Sequence, residues 1–425
     1  MNPEMGVMQQ RKQIYGARTK NRGNWVKNVL FLTLSSIEDI NQRGLYTDLI
    51  RAIAGRGHNV YAVVPRERRT GLPTELASYG SVHVLKTEIG NITKVGVLEK
   101  GISTLTIERD YEKAIKRHLP GITFDMVVYS TPPITFERLV KQLKKTHGAN
   151  TYLILKDIFP QNAVDIGFMK KNSLLWRYFR RRERVLYQLS DMIGCMSPAN
   201  VKYVLDHNPD IDAAKLEVFP NAIQPRPRVA ERPGRTILNR YGVPEDATLF
   251  VYGGNLGKPQ GIDFLLEVID NFHQVENSFL MIVGSGTEYG RIQEHVRSTQ
   301  PVNVALHDIL PKAEYDELLR SADVGLIFLD SRFTIPNFPS RLTAYMESSI
   351  PVLAATDVST DLKDVLIESR SGFWCMSGDL DAFLSNAKRL AQDEVLRLEM
   401  GSQGREYLEE HYDVTKTVEI LLKHL

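Results

Sequence analysis

Two cationic side chains in the second half of the chain follow strand-like segments, in positions suited to a phosphate. Lys258 lies in the glycine-rich stretch VYGGNLGKPQG (251–261), and Arg341 follows Ser340 in FTIPNFPSRLTAYMESSIPVLA (333–354), where a proline-rich loop leads into a helical pattern. Glycine permits close backbone approach, and the first turn of a helix presents free N–H groups with partial positive charge. Both loops are therefore candidates for holding phosphate oxygens, although each pattern taken singly is also that of an ordinary turn.

A third loop of the same placement, GSGTE (284–288), follows another strand-like segment. The loop around Lys258 is neither a dinucleotide fingerprint nor a Walker loop, because Lys258 is followed by Pro259 rather than Ser or Thr. Asn337 and Ser340 are the possible N-caps of the helix that Arg341 opens. Three such loops in one half of the chain are more than turn chemistry usually explains, so we predict phosphate binding there.

The first half offers one candidate for proton chemistry, Asp157, which Lys156 precedes in the strand-like run TYLILKDI (151–158). At the carboxyl end of a strand its carboxylate would reach a cleft, where it could orient a hydroxyl group or assist its deprotonation. The alternative is an N-cap for the turn through Pro160. Gly44, in a polar loop, would allow close approach to a ligand or simply form a turn.

Alternating strand and helix patterns supply the elements that would position these residues. Strand-like runs lie at 26–34, 59–65, 83–86, 125–130, 151–158, 192–196 and 216–220, and then at 248–254, 278–284, 302–308, 324–330 and 351–356. Between the two groups, VFPNAIQPRPR (218–228) carries three prolines and predicts a domain boundary. Two successive doubly wound α/β domains result, and ligands are expected in the cleft beyond the carboxyl ends of their strands.

Composition excludes several classes of protein. The chain has 425 residues, 43% hydrophobic and 24% charged, which suits a globular protein of two domains. No apolar segment is long enough to span a membrane and the first 27 residues lack the apolar core of a signal peptide, so we expect a cytoplasmic protein. Cys195 and Cys375 have no metal-ligand or disulfide spacing and are predicted to be core thiols; the histidines are scattered singly, and no metal site is predicted.

Charge is distributed unevenly along the chain. Residues 1–225 contain 33 Lys and Arg against 21 Asp and Glu, a net charge of +12, whereas the remainder has a net charge of −10. A basic half could meet nucleic acid, an anionic membrane or a phosphorylated substrate. In MKKNSLLWRYFRRRERVLYQL (169–189) basic and large apolar residues are interleaved, which favours an anionic membrane surface over nucleic acid; the alternative is a packed helix with solvated arginines. The predicted membrane-contacting residues are Lys170, Lys171, Trp176, Arg177, Arg180, Arg181 and Arg182.

Several stretches together resemble the retaining family-4 glycosyltransferases. NQRGLYTDLIRAIAGRGHNVYAV (41–63) resembles their first helix, LKDIFPQNAVDIG (155–167) an active-site stretch of a polysaccharide-assembly branch, and VFPNAIQP (218–225) the crossing between domains. YGGNLGKPQG (252–261) and FPSRLTAYMESSIPVLA (338–354) complete the series in the right order. The resemblance implies a GT-B fold, in which two Rossmann-like domains face each other across a cleft.

The same resemblance implies the substrates. The donor would be a nucleotide-diphosphate sugar, uridine-linked in this branch. The acceptor would be an undecaprenyl-diphosphate-linked sugar in capsule or O-antigen assembly. The transferred sugar would be an N-acetylated deoxyhexosamine such as N-acetylfucosamine, and its anomeric configuration would be retained. No cofactor is implied, and attachment would be to the inner face of the cell membrane. The implied domains are a disordered or appended tail at 1–25, an acceptor-binding domain at 26–224, a nucleotide-sugar-binding domain at 225–404 and a helix at 405–425 that crosses back to the first domain.

The chain departs from the family pattern at the donor site. Many members have two glutamates eight positions apart where this chain has Pro336 and Ala344, and Glu347 is the residue that could take over one of their sugar or ribose contacts. With Lys258, Arg341 and Asp157 as catalytic residues, the predicted donor-binding residues are Gly44, Gly253, Gly254, Asn255, Lys258, Gln260, Gly284, Gly286, Asn337, Pro339, Ser340, Arg341 and Glu347.

Two other function classes use similar elements. A nucleotide-sugar epimerase also has α/β units, but LFLTLSSIEDINQRG (30–44), which begins in the first strand, lacks the dinucleotide fingerprint that an epimerase requires. A non-catalytic nucleotide-sugar-binding protein would keep the C-terminal loops without an organised N-terminal cleft.

Overall fold

The computed structural model describes residues 20–21, 24–92, 97–228 and 235–425, which form two α/β domains built on separate sheets. The predicted pair of doubly wound domains is confirmed. The tail predicted at residues 1–25 lies outside the described residues, apart from a short antiparallel pair of strands, Lys20–Asn21 and Asn24–Trp25.

The first domain contains a mostly parallel sheet. Its strands are β1 (Asn28–Leu32), β2 (Asn59–Glu67), β3 (Glu75–Tyr79), β4 (Val82–Ile89), β5 (Met126–Ser130), β6 (Asn150–Leu155), β7 (Met192–Cys195) and β8 (Leu216–Val218). Their spatial order is β8-β7-β6-β5-β1-β2-β4-β3, and only β3, among these strands, runs antiparallel to its neighbour. Its helices are α1 (Leu45–Gly55), α2 (Val97–His118), α3 (Glu137–His147), α4 (Gln161–Asp165), α5 (Leu174–Leu189) and α6 (Pro198–His207).

The second domain contains a fully parallel sheet within the described residues. Its strands, in the spatial order β11-β10-β9-β12-β13-β14, are β9 (Thr248–Asn255), β10 (Ser278–Ser285), β11 (Val304–His307), β12 (Val324–Phe328), β13 (Val352–Thr356) and β14 (Gly372–Met376). Its helices are α7 (Thr236–Asn239), α8 (Ile262–Asn271), α9 (Tyr289–Thr299), α10 (Lys312–Ser321), α11 (Arg341–Glu347), α12 (Leu362–Glu368), α13 (Leu380–Gln392) and α14 (Glu394–His411).

Central strands are apolar on both faces because helices cover both sides of each sheet. In β1, Leu30 and Leu32 enter one core while Val29 and Phe31 enter the other. These uninterrupted apolar runs are the signal that identified the strands in the sequence. The sequence prediction missed β3, a half-exposed edge strand, and β14, the short strand at the far edge of the second sheet.

Two segments tie the domains together. A last helix, α15 (Val414–Leu422), packs with α1 in the core of the first domain, and the chain beside it pairs with the interdomain linker through Ile223 and Val414. The loop at residues 329–340, which joins β12 to α11, inserts Phe333 and Ile335 into the core of the first domain. The carboxyl ends of the two sheets are thereby held facing each other. None of the helices in the described part of the chain is both long and apolar enough to cross a membrane.

Candidate active site

The three loops predicted to bind phosphate meet at the carboxyl edge of the second sheet. Gly254 and Gly284 are opposite each other in the register of β9 and β10, and a Cβ atom at Gly284 would overlap the carbonyl oxygen of Gly254. A Cβ atom at Gly286 would likewise overlap the backbone of Leu256, and one at Gly253 would overlap the ring of Tyr315. Close packing within the domain thus accounts for these three glycines, which the sequence assigned to the ligand.

Arg341 is the central cation of this edge. Its Nη2 donates to Oε1 of Gln260 at 2.7 Å, and its Cζ lies 4.4 Å from the ring centroid of Tyr252. The Tyr252 hydroxyl in turn donates to the carbonyl of Asn255 at 2.7 Å. Gly254 has a φ of +127° and a Cβ there would lie 3.6 Å from Arg341 Nη2, so the backbone passes close to the guanidinium.

The Nη1 atom of Arg341 is shielded from solvent and has no hydrogen-bond partner within the described residues. A buried donor without an acceptor costs about 1–3 kcal/mol, and more when it is charged. A phosphate oxygen beside Nη1 would remove that cost. The structure therefore holds Arg341 in place through Gln260 and Tyr252 while one of its donors stays unused.

Lys258 lies on the exposed side of the same edge. Its Nζ is 5.1 Å from the ring centroid of Phe168, which belongs to the first domain and is 61% exposed. This cation–π contact crosses the cleft, so Lys258 faces the first domain.

The loop before Arg341 differs in detail from the prediction. Ser340 occupies the N-cap position of α11, but its side chain makes no capping hydrogen bond and is exposed. Asn337 is not a cap: its carbonyl accepts from the Thr360 hydroxyl at 2.5 Å and its side-chain Nδ2 is buried without a partner among the described residues. Pro339, between them, is partly buried. The side-chain caps were wrong because the 329–340 loop is fixed by packing on the first domain rather than by the helix start.

Glu347, from which a sugar or ribose contact is expected, is bound by two arginines in this structure. Arg43 donates to both of its carboxylate oxygens, at 2.9 and 2.6 Å, and the backbone N–H of Arg226 donates at 2.8 Å. The pair joins the two domains beside a cleft of about 180 Å³ that Gly44 and Ser340 also line. Gly44 has an extended backbone, with φ at 175°, so its conformation does not require glycine.

Asp157 is held by a neighbouring side chain in the first domain. The Nδ2 of Asn162 lies 2.7 and 2.8 Å from its two carboxylate oxygens, and its backbone N–H donates to the Thr131 hydroxyl at 3.1 Å. Burial raises the pKa of Asp157 to about 6, although the hydrogen bonds from Asn162 lower it. The N-cap alternative is wrong, since Pro160 occupies the N-cap position of α4.

Lys156 links the same strand end to the second domain. Its Nζ donates to Oδ1 of Asn221 at 2.5 Å, and Asn221 donates to the carbonyl of Phe338 at 3.3 Å. Burial lowers the pKa of Lys156 to about 7. The end of β6 therefore contacts the 329–340 loop through a polar bridge.

The basic segment predicted for the membrane forms α5 and the loop before it, but only part of it faces solvent. Arg180 is bound internally by Glu183 at 2.6 Å and by Asn208 at 2.6 Å, and Arg182 is paired with Glu137. The prediction was wrong for these two arginines, since they stabilise the helix contacts of the domain. Trp176 is partly buried, with its indole nitrogen shielded from solvent. Of the residues predicted to contact the membrane, Lys170, Lys171, Arg177 and Arg181 are exposed.

Both cysteines are buried free thiols, as predicted. Across the described residues, no group of three or more His, Cys, Asp and Glu side chains is arranged to hold a metal ion.

Two Rossmann-like domains that face each other across a cleft define the GT-B class of fold. In this chain the second domain contributes a cationic glycine-rich edge and the first a buried carboxylate. Residues 235–407 match the sequence model of the family described as glycosyl transferases group 1, which covers most of the second domain. The chain is therefore a glycosyltransferase of the GT-B fold. The epimerase and the non-catalytic binding protein lose their support.

Individual proteins agree with this class. The chain is 26% identical over 301 residues to a probable glycosyltransferase, WbjE, of Pseudomonas aeruginosa, covering 68% of this chain and 71% of that protein. It is 22% identical over 247 residues, 56% of this chain and 59% of the relative, to WcaI of Escherichia coli K12, a putative colanic acid biosynthesis glycosyl transferase.

Solved structures share the fold. Sucrose-phosphate synthase from Thermosynechococcus elongatus is similar with a TM-score of 0.75 at 16% identity, covering 93% of this chain and 98% of that one. HepE of Anabaena, solved in complex with UDP, has a TM-score of 0.63 at 12% identity, with the same coverage.

Sequence reasoning missed several residues of the site. Tyr252 supports Arg341, Arg43 pairs with Glu347, Phe168 contacts Lys258 and Asn162 holds Asp157. The last three all come from the first domain. Asn162 is only five positions from Asp157. The other three contacts join segments far apart in the chain, and a single sequence carries no signal for such contacts.

Proposed function

We propose that this protein is a retaining glycosyltransferase that moves a sugar from a uridine-diphosphate-linked donor to a lipid-diphosphate-linked sugar, in the assembly of a bacterial capsule or O-antigen. The transferred sugar in this proposal is an N-acetylated deoxyhexosamine. The observation that carries the proposal is the buried, unused Nη1 donor of Arg341 at the carboxyl edge of the second sheet. The likeness to WcaI, which is named for colanic acid biosynthesis, supports the polysaccharide, and the UDP complex of HepE supports the nucleotide.

In this reaction the bond between the anomeric carbon and the diphosphate breaks, and a bond from that carbon to the acceptor oxygen forms. Negative charge develops on the phosphate oxygens as the nucleoside diphosphate leaves. Arg341 and Lys258 supply positive charge at fixed positions, so they stabilise the transition state more than the ground state.

The acceptor hydroxyl must lose a proton in the same reaction. Asp157 lies on the opposite domain to the cationic edge, and its pKa of about 6 leaves it ionised at neutral pH. We assign it to orient the acceptor hydroxyl or to accept its proton.

A panel of nucleotide sugars tests this proposal against its alternatives. Incubation with a lipid-diphosphate-sugar acceptor should release nucleoside diphosphate and glycosylated acceptor from one donor. Conversion of a nucleotide sugar into its epimer would indicate an epimerase, and donor binding without turnover a binding protein; either result refutes the proposed transfer.

Metal independence is a prediction of the same proposal, since Lys258 and Arg341 take the place that a divalent cation would have beside the diphosphate. Transfer should continue at an unchanged rate in an excess of a chelator that removes bound Mg²⁺. Activity that disappears in chelator and returns with magnesium or manganese would contradict this.

We propose that the protein attaches reversibly to the inner face of the cell membrane. Four exposed basic residues support this proposal: Lys170, Lys171, Arg177 and Arg181. Within the described residues none of the four has an ion pair, and Leu174 and Leu175 beside them are 86% and 55% exposed. Each basic residue near an anionic surface contributes about 1 kcal/mol, and the apolar side chains would enter the interface. A lipid-linked acceptor would be met at that surface.

Replacing the four exposed basic residues by Glu should release the protein from vesicles. Sedimentation with phosphatidylglycerol-containing vesicles should recover the native chain in the pellet at low salt and lose it at high salt, whereas phosphatidylcholine vesicles should not bind it. A control with the same charge change on α2 and α3 should still sediment; its substitutions are Lys113→Glu, Arg117→Glu, Lys141→Glu and Lys145→Glu. Equal binding by both variants would contradict the assignment.

A further inference from the structure

The short helix α4 contacts both the carboxylate of Asp157 and the 329–340 loop of the second domain. Asn162, in its first turn, donates through Nδ2 to both carboxylate oxygens of Asp157. Asp165, at its last residue, accepts from the backbone N–H of Thr334 at 2.8 Å and from the Thr334 hydroxyl at 3.0 Å. One turn of helix thus separates an intradomain contact from an interdomain contact.

Each end of this connection is fixed by further hydrogen bonds and packing. The Oδ1 of Asn162 accepts from the backbone N–H of Ala163 at 2.6 Å, which orients the amide so that its Nδ2 faces Asp157. Thr334 lies between Phe333 and Ile335, and both of these side chains are buried in the core of the first domain. A movement of Thr334 would therefore be passed through Asp165 and α4 to Asn162, and so to the carboxylate of Asp157.

We propose that Asn162 is a positioning residue for Asp157, and that α4 couples the placement of the 329–340 loop to the orientation of that carboxylate. The inference rests on the function proposed above. Thr334, which α4 holds, lies only a few residues before Arg341, so the loop that leads into the leaving-group cation is also the loop that α4 contacts. The positions of Arg341, on the donor side, and of Asp157, on the acceptor side, therefore depend on each other.

Several charged groups surround Asp157, and they determine the expected pH dependence. Glu183 of α5 lies near enough to act on it electrostatically. Burial raises the pKa of Glu183 to about 7, although Arg180 and the hydrogen bond from the Tyr187 hydroxyl lower it. Lys156 is its neighbour in the chain, with its Nζ turned to Asn221. Asn162 is the side chain that bonds the carboxylate directly.

The sign of the effect follows from these contacts. Burial raises the pKa of Asp157 and the hydrogen bonds of Asn162 lower it, so removing them should raise the pKa further. Activity that needs the ionised carboxylate is lost as pH falls through that pKa. The acidic limb of the rate profile should therefore move to higher pH in a variant without the amide.

Asn162→Ala tests the positioning role through the pH profile of kcat. We expect the acidic limb to move upward by about one pH unit, with kcat reduced about fivefold at pH 6 and almost unchanged at pH 8. Asn162→Asp, which places a second carboxylate beside the first, should move it further. The control Asn271→Ala, in which the lost amide donates to a carbonyl of α8, should keep the native profile.

Asp165→Ala tests the coupling. It should lower kcat, and the combined Asn162→Ala/Asp165→Ala variant should lose less than the product of the two single losses, since both act on Asp157 through α4. Nucleotide binding by calorimetry and a thermal melt show that each variant is folded. If the native chain transfers sugar but folded Asn162→Ala has an unshifted acidic limb, or the two single losses multiply in the double variant, the inference is overturned. If the native chain transfers no sugar, the proposed function is overturned instead.

Discussion

Arg341→Ala should lower kcat by roughly 10²–10³-fold, the loss typical of removing one donor that stabilises developing charge in a transition state. The guanidinium is fixed by Gln260 at 2.7 Å and by the Tyr252 ring, and its free Nη1 faces no acceptor among the described residues. Its contact with a leaving phosphate strengthens as charge develops, so the effect should appear mainly in kcat rather than in KM. Steady-state kinetics with the donor identified by the nucleotide-sugar panel measure it.

Two variants sharpen this prediction. Arg341→Lys keeps the charge but loses the planar fork, and it should recover only part of the rate. Arg332→Ala, in the same 329–340 loop, removes an arginine that is exposed and paired with Asp330 at 2.7 Å, and it should leave the rate unchanged. A native rate in Arg341→Ala would remove this residue from the catalytic set.

Asp157→Asn should abolish most transfer while leaving donor binding intact. Loss of a group that accepts or orients a proton typically costs about 10²–10⁴-fold in rate. The carboxylate lies on the opposite domain to the cationic edge, so the nucleotide should still bind with native affinity. Calorimetry with nucleoside diphosphate and a transfer assay on the same preparation separate the two effects.

The native enzyme should also lose activity below about pH 6, where Asp157 becomes protonated. Asp206→Asn is a matched control, because Asp206 is exposed and pairs only with Lys202 among the described residues. Nucleotide binding lost in Asp157→Asn would assign this residue to the donor side and contradict its acceptor-side role.

The fold could be predicted from the sequence because its strongest signals are local. Parallel strands that are buried on both faces are apolar along most of their length, as in β1 and β9. Such continuous apolar runs are easily distinguished from the polar turns between them. β3 carries no such run, because an exposed edge strand needs apolar residues on one side at most.

The candidate site could be predicted only in part. The sequence singles out Lys258 and Arg341 because cations after glycine-rich or proline-rich loops are a local pattern. The pairing of Glu347 was missed because its partner, Arg43, is 304 positions away, and Phe333 and Ile335 gave no sign that they pack on the opposite domain. Contacts between the domains determine which polar side chains already have hydrogen-bond partners, and only the three-dimensional structure shows those contacts.

The anomeric configuration of the product tests the central claim most directly. Proton NMR of the glycosylated acceptor, made from the one donor that the enzyme uses, reports the new linkage through the coupling of its anomeric proton. A retaining glycosyltransferase should give the same configuration as the nucleotide sugar that it consumed. An inverted linkage, or no glycosylated product from any nucleotide sugar, would contradict the account.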